Sequence, residues 1–84
     1  MPRVELHPHA IGRMPERGAT EAEIIDTVLT GERCPVKFGR MGFRKTFRYD
    51  AVWRGRQYAY KELEAIAVEI PDGWLVLTAI TRYF

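Results

Sequence analysis

The chain has 84 residues, a formal net charge of +2, 46% hydrophobic residues and one cysteine. That length holds one core and excludes a second domain, and the composition excludes a disordered chain. A lone Cys34 excludes an intramolecular disulfide and suits a reducing compartment. No apolar run approaches a membrane span and the opening residues lack signal-peptide character, so a cytoplasmic protein that leaves the membrane alone is expected.

Val4-Glu5-Leu6 suffices only for a short leading strand. His7-Pro8 then predicts a helix start, because proline in the first turn loses nothing by lacking an N–H. Ala10, Ile11 and Met14 give this helix an apolar side. Gly12 and Pro15 weaken it, predicting a kinked or shortened helix that stops at Gly18. The second helix has the clearest signals. Thr20 and Glu23 make a capping box, Ile24, Ile25, Val28 and Leu29 form a buried stripe, and Gly31 closes it. Two short helices with so brief a link predict a helical hairpin lying across a flat partner.

That partner is an antiparallel sheet built from Phe43 to Trp53, Arg56 to Ile70 and Trp74 to Phe84, all rich in strand formers. Arg54-Gly55 and Pro71-Asp72-Gly73 supply the turns. If those turns set the register, Lys45 lies opposite Glu64 and Glu62 opposite Arg82. Ala59, Leu63, Ala65, Ala67, Leu75, Leu77 and Ala79 then share the face that receives the helices, with Thr46 opposite Leu63. Phe43, Phe47, Tyr49, Trp53, Tyr58, Tyr60, Trp74, Thr78, Ile80 and Phe84 share the other with those four charges. Such an aromatic face implies a partner or a dimer.

Charge is uneven. From Glu32 to Arg56 there are eight basic residues against two acidic ones, and five of the ten aromatics fall in the same stretch. Cations interleaved with rings suit RNA, and equally describe a solvated basic hairpin. His9, Arg13 and Arg17 recur at spacings of four, which stacks them on one helix face. A histidine near its operating pH and ionised arginines suit metal-independent RNA cleavage. In that reaction a 2′-hydroxyl attacks the neighbouring phosphorus and cations steady the phosphorane. The candidate catalytic residues are therefore His9, Arg13, Arg17 and Lys45, with Glu62 and Glu64 as alternative bases. Arg40, Arg44, Arg48 and Arg82 are candidates for RNA contact. The structural alternatives are a His9 ring bonded to a nearby carbonyl, and Arg13 and Arg17 paired with Glu16, Glu21 or Glu23. His7 and His9 lack the further ligands of an ordinary metal site, and no cofactor fingerprint is present.

The run His9-Ala10-x-x-Arg13-Met14-x-x-Arg17-Gly18, the Glu-rich start of the second helix and the closing Leu77-Thr78-Ala79-Ile80-Thr81-Arg82-Tyr83-Phe84 resemble a family of small bacterial proteins. It is a domain-of-unknown-function family grouped with BrnT- and RelE-like ribonuclease toxins. The resemblance spans nearly the whole chain, residues 1–84 as one domain. It implies an α+β fold in which a short N-terminal strand and a two-helix hairpin accompany a three- to four-stranded antiparallel sheet. It also implies a toxin-like endoribonuclease whose partners are RNA and an antitoxin-like protein or a second copy. The alternative is a non-catalytic interaction module that binds protein through the aromatic face.

Overall fold

The best-signalled helix forms as its sequence requires. In the computed structural model, which describes residues 2–84, α2 spans Glu21–Thr30. The Thr20 hydroxyl accepts from the Glu23 N–H at 3.2 Å, and the Glu23 carboxylate accepts from the Thr20 N–H at 3.0 Å. Two otherwise unpaired donors are thus satisfied. Ile24, Thr27 and Val28 are buried, and Thr27 hides its hydroxyl by donating to the Glu23 carbonyl at 2.8 Å. Ile25 and Leu29, expected in the same stripe, are half-buried.

Helix α1 spans Pro8–Arg17 and runs through Pro15. Proline there removes only the bond to the Ile11 carbonyl, and both residues lie on the exposed side, where water substitutes. Ile11 itself is 53% exposed, so the apolar side narrows to Ala10 and Met14. Gly18 ends the helix with φ of 68°, and a Cβ there would collide with Trp53 and Tyr83. Glycine answers both demands.

The sheet departs from the expected three or four antiparallel strands. It has five and is mixed: β1 (Arg3–Leu6), β2 (Glu32–Val36), β3 (Arg40–Trp53), β4 (Arg56–Ile70) and β5 (Gly73–Tyr83), in the order β1-β5-β4-β3-β2. β1 runs parallel to β5, and the remaining neighbours are antiparallel. The unexpected strand is β2, an edge strand exposed at all five positions. With no buried side, it carries no alternation to betray it.

Register is where expectation and structure part most consequentially. Arg54 and Gly55, at φ of 50° and 82°, make the two-residue turn, and Trp53 pairs with Arg56 as expected. Between Ala51 and Arg48 the pairing slips by one: Ala51 faces Tyr58 but Arg48 faces Tyr60. Tyr49 and Asp50 therefore oppose the single Ala59, a β-bulge, with Asp50 at φ of 47°. Upstream of the bulge every side chain exchanges faces. Phe43, Lys45 and Phe47 turn toward the helices and Arg44, Thr46 and Arg48 turn away, correcting the face assignment made above. Lys45 lies opposite Leu63, and Arg44 takes the place beside Glu64. A second slip near Ile66 and Ala67 fits the tighter turn, in which Ile70 pairs with Gly73.

The core lies between the helices and one sheet face. Phe43, Leu63, Ala65, Ala67, Val76 and Ala79 are fully buried there with Ala10 and Ile24. Trp74 meets Phe43 edge-on at 5.0 Å, and the Arg33 guanidinium lies over both rings. One cation is buried on this face. Lys61 is only 4% exposed, and its ammonium donates to the Gly18 carbonyl at 2.9 Å and the Glu23 carboxylate at 2.8 Å. It thereby joins β4 to the end of α1 and the start of α2. Lys61→Ala leaves Glu23 and a carbonyl without their partner, and should cost about 2–4 kcal/mol, toward the low side of the buried-pair range because Glu23 keeps solvent access. Denaturant titration checks this, and a loss no larger than that of an exposed lysine contradicts it.

Candidate functional site

Among the described residues, no buried side-chain nitrogen or oxygen lacks a hydrogen-bond partner, so no orphaned interior group marks a site. Chemistry must therefore be sought at the surface. Both helices lie against the face of Leu63, Ala65 and Ala67. The opposite face keeps Glu62, Glu64, Ile66 and Val68 partly exposed.

Register organises that open face into rows running across three strands. Gly42, Ile66 and Thr78 make the first row, Arg44, Glu64 and Ile80 the second, and Thr46, Glu62 and Arg82 the third. Arg48, Tyr60 and Phe84 make the fourth, since Tyr60 and Phe84 exchange backbone bonds at 2.8 and 3.0 Å. From Thr78 to Phe84 the rows span roughly 20 Å at the usual rise per residue. Arg44 reaches Glu64 at 3.7 Å, and Arg82 reaches Glu62 at 3.4 Å. These long, solvent-facing pairs are worth about 0–1 kcal/mol each and yield easily to an incoming anion. Around them Arg44, Glu62, Glu64, Ile80 and Arg82 line a shallow trough of about 310 Å³.

Three of the four arginines expected to contact RNA, Arg44, Arg48 and Arg82, therefore share the uncovered face. Arg40 lies at its end, where it lines a recess with His7, His9, Leu77 and Thr78. His9 is exposed in the first turn of α1. His7 Nδ1 accepts the His9 N–H at 3.0 Å as the helix cap, which fixes the unprotonated nitrogen of His7 there.

The remaining candidates have other partners. Arg13 pairs with Glu16 at 2.9 Å, and that hydrogen bond holds the Glu16 carboxyl below its ordinary value. Arg17 donates to the Ala79 carbonyl at 2.7 Å, while its own carbonyl accepts from Thr81 and Tyr83, each at 2.7 Å. These bonds dock α1 on β5, and burial there pushes the Tyr83 hydroxyl above its ordinary value. Lys45 reaches Asp26 at 2.6 Å and Thr30 at 2.8 Å, at the margin of the sheet beside Glu62. Arg13, Arg17 and Lys45 are thus held by three separate sets of partners, while the His9 side chain stays exposed. The helix spacing of four is real, but the two arginines it aligns pair with neighbours instead of converging on His9.

Sequence reasoning overlooked two features. Lys61 is one, although a lysine in phase with Leu63, Ala65 and Ala67 signals a buried cation. The other is the Arg48–Tyr60–Phe84 row, hidden by the bulge. Comparison with known protein families, curated proteins and solved structures finds no match for the chain. Among the described residues, no three His, Cys, Asp or Glu side chains gather as a metal site. No helix among them is long and apolar enough to cross a membrane.

The Asp26–Lys45 bond ties α2 to β3 and holds the Asp26 carboxyl below its ordinary value of 3.8. A depressed carboxyl contributes stability that is present above its unfolded value and lost as pH falls through the folded one. Asp26→Asn should therefore lower the denaturant midpoint at neutral pH, and the gap from the parent chain should narrow below pH 3.8. A gap independent of pH contradicts the assignment.

Proposed function

We propose that the chain binds RNA through its open sheet face and cleaves it without a metal, as a toxin-like endoribonuclease restrained by a protein partner. The supporting observation is the gathering of Arg44, Arg48 and Arg82 on the face that neither helix covers, with Arg40 at its end. Phosphate contacts supply most of the affinity of such surfaces and make it salt-dependent. The resemblance of the His9–Gly18 run and the closing strand to BrnT- and RelE-like ribonucleases supports the same reading, by analogy alone.

In this reading His9 carries a proton and Arg40 holds the scissile phosphate, because the two share one recess at the end of the strip. The 2′-hydroxyl gives its proton to a base as its oxygen attacks phosphorus, and the departing 5′-oxygen takes a proton from an acid. Glu62 and Glu64, flanked by Arg44 and Arg82, are the second carriers within reach of the same face. Arg13, Arg17 and Lys45 serve the scaffold.

One observation favours the interaction-module reading. Ile80 is 43% exposed, Tyr60 39% and Phe84 50%, all on this face. Apolar area of that kind suits a protein partner. A chain seated there would also exclude RNA by occupancy.

Replacing Arg44, Arg48 and Arg82 together with alanine should weaken RNA binding and lower its logarithmic salt slope by roughly 2 on single strands. His9→Ala should keep both binding and the melting temperature while cleavage falls. Binding isotherms over a salt series and a gel assay of RNA integrity check these outcomes. Absence of RNA binding at low salt contradicts the proposal, as does unchanged cleavage by the His9 variant.

A further inference from the structure

Taking the open face as an RNA surface, we infer that Arg48, Tyr60, Phe84 and Arg82 form a stacking platform for unpaired bases. The ligand is then single-stranded RNA and not a duplex. The four groups lie side by side in one contiguous group across three strands. The Arg48 guanidinium lies 5.7 Å from the Tyr60 ring centre, Tyr60 and Phe84 lie 5.6 Å apart with planes inclined by 31°, and the Arg82 guanidinium lies 5.2 Å from the Phe84 ring. Both rings stay substantially exposed beside the guanidiniums.

A platform of this composition is complementary to a base. Rings offer a flat π surface of the right size, and guanidinium planes stack on bases while donating to phosphate. A duplex cannot use it, because its bases are already stacked and present only their edges in the grooves. At the centre of the face Arg44 and Arg82 flank Glu64 and Glu62 and supply the phosphate contacts, which leaves the bases to the rings. The adjoining row carries Arg82, and the Arg44–Glu64–Ile80 row continues toward the His9 recess. Unpaired nucleotides held on the platform thus lead their strand along the face toward that recess.

The test uses the full chain and three short probes labelled for fluorescence anisotropy. These are a cleavage-resistant 2′-O-methyl single strand, an abasic oligomer of equal length, and a blunt duplex. The single strand should bind about tenfold or more tighter than either other probe, as stacking of one or two bases provides. Tyr60→Ala with Phe84→Ala should erase that preference and leave the salt slope on the abasic probe unchanged. Tyr60→Phe, which keeps the ring and the packing, should retain the preference. Equal binding of all three probes by the parent chain overturns the platform while phosphate binding stands. Failure to bind any probe at low salt removes the RNA reading itself. A stable dimer in light scattering that the double alanine variant dissociates, together with no probe preference, assigns the rings to self-association and overturns the inference.

Discussion

One extra residue in β3 determines what the open face is made of. The bulge at Tyr49 and Asp50 inverts everything upstream of it, because side chains alternate strictly along a strand. Had the register run on from the Arg54-Gly55 turn without interruption, Arg44 and Arg48 would lie beneath the helices. Burying two guanidiniums without dedicated partners costs far more than one unpaired residue in a ladder. Phe43 instead fills the core, fully buried against Trp74 and the Arg33 guanidinium. Asp50 permits this arrangement, since a short polar side chain accepts the left-handed φ of 47° more readily than most, and it binds Arg48 at 2.6 Å.

The rest of the molecule secures the other face. Lys61 carries a buried charge to the junction of α1 and α2, and Arg17 bonds α1 to β5 at the Ala79 carbonyl. The aromatic cluster of Tyr49, Trp53, Tyr58 and Tyr83 packs at the same end, with Trp53 stacked on Tyr83 at 4.9 Å. Cations that look functional in sequence are therefore divided between two tasks. Those in phase with Leu63 fasten the helices, and those out of phase with it face solvent.

This division explains how far the sequence could be read. The α+β class, the Thr20–Glu23 cap, the Gly18 stop and the Arg54-Gly55 turn each rest on local chemistry, and local chemistry is legible. The edge strand β2 was not, because a strand with no buried side has no period and its pairing depends wholly on β3. Nor was the parallel pairing of β1 with β5, since three residues of strand pattern specify no partner. The bulge is intermediate. The alternation of Phe43 and Phe47 with Arg44 and Arg48 already demands a change of phase relative to the turn, once the cost of burying arginine is counted. The Tyr60–Phe84 pair follows only when that phase is right.

The most direct test of the open-face account is a residue-resolved amide titration of the labelled protein with a cleavage-resistant single-stranded RNA. Perturbed signals should trace the alternate positions Arg44, Arg48, Tyr60, Glu62, Glu64, Ile80, Arg82 and Phe84, reach His9 and Thr78 at one end, and spare the solvent side of α2. Perturbations confined to the helices, or spread evenly over the basic Glu32–Arg56 stretch without regard to face, contradict it.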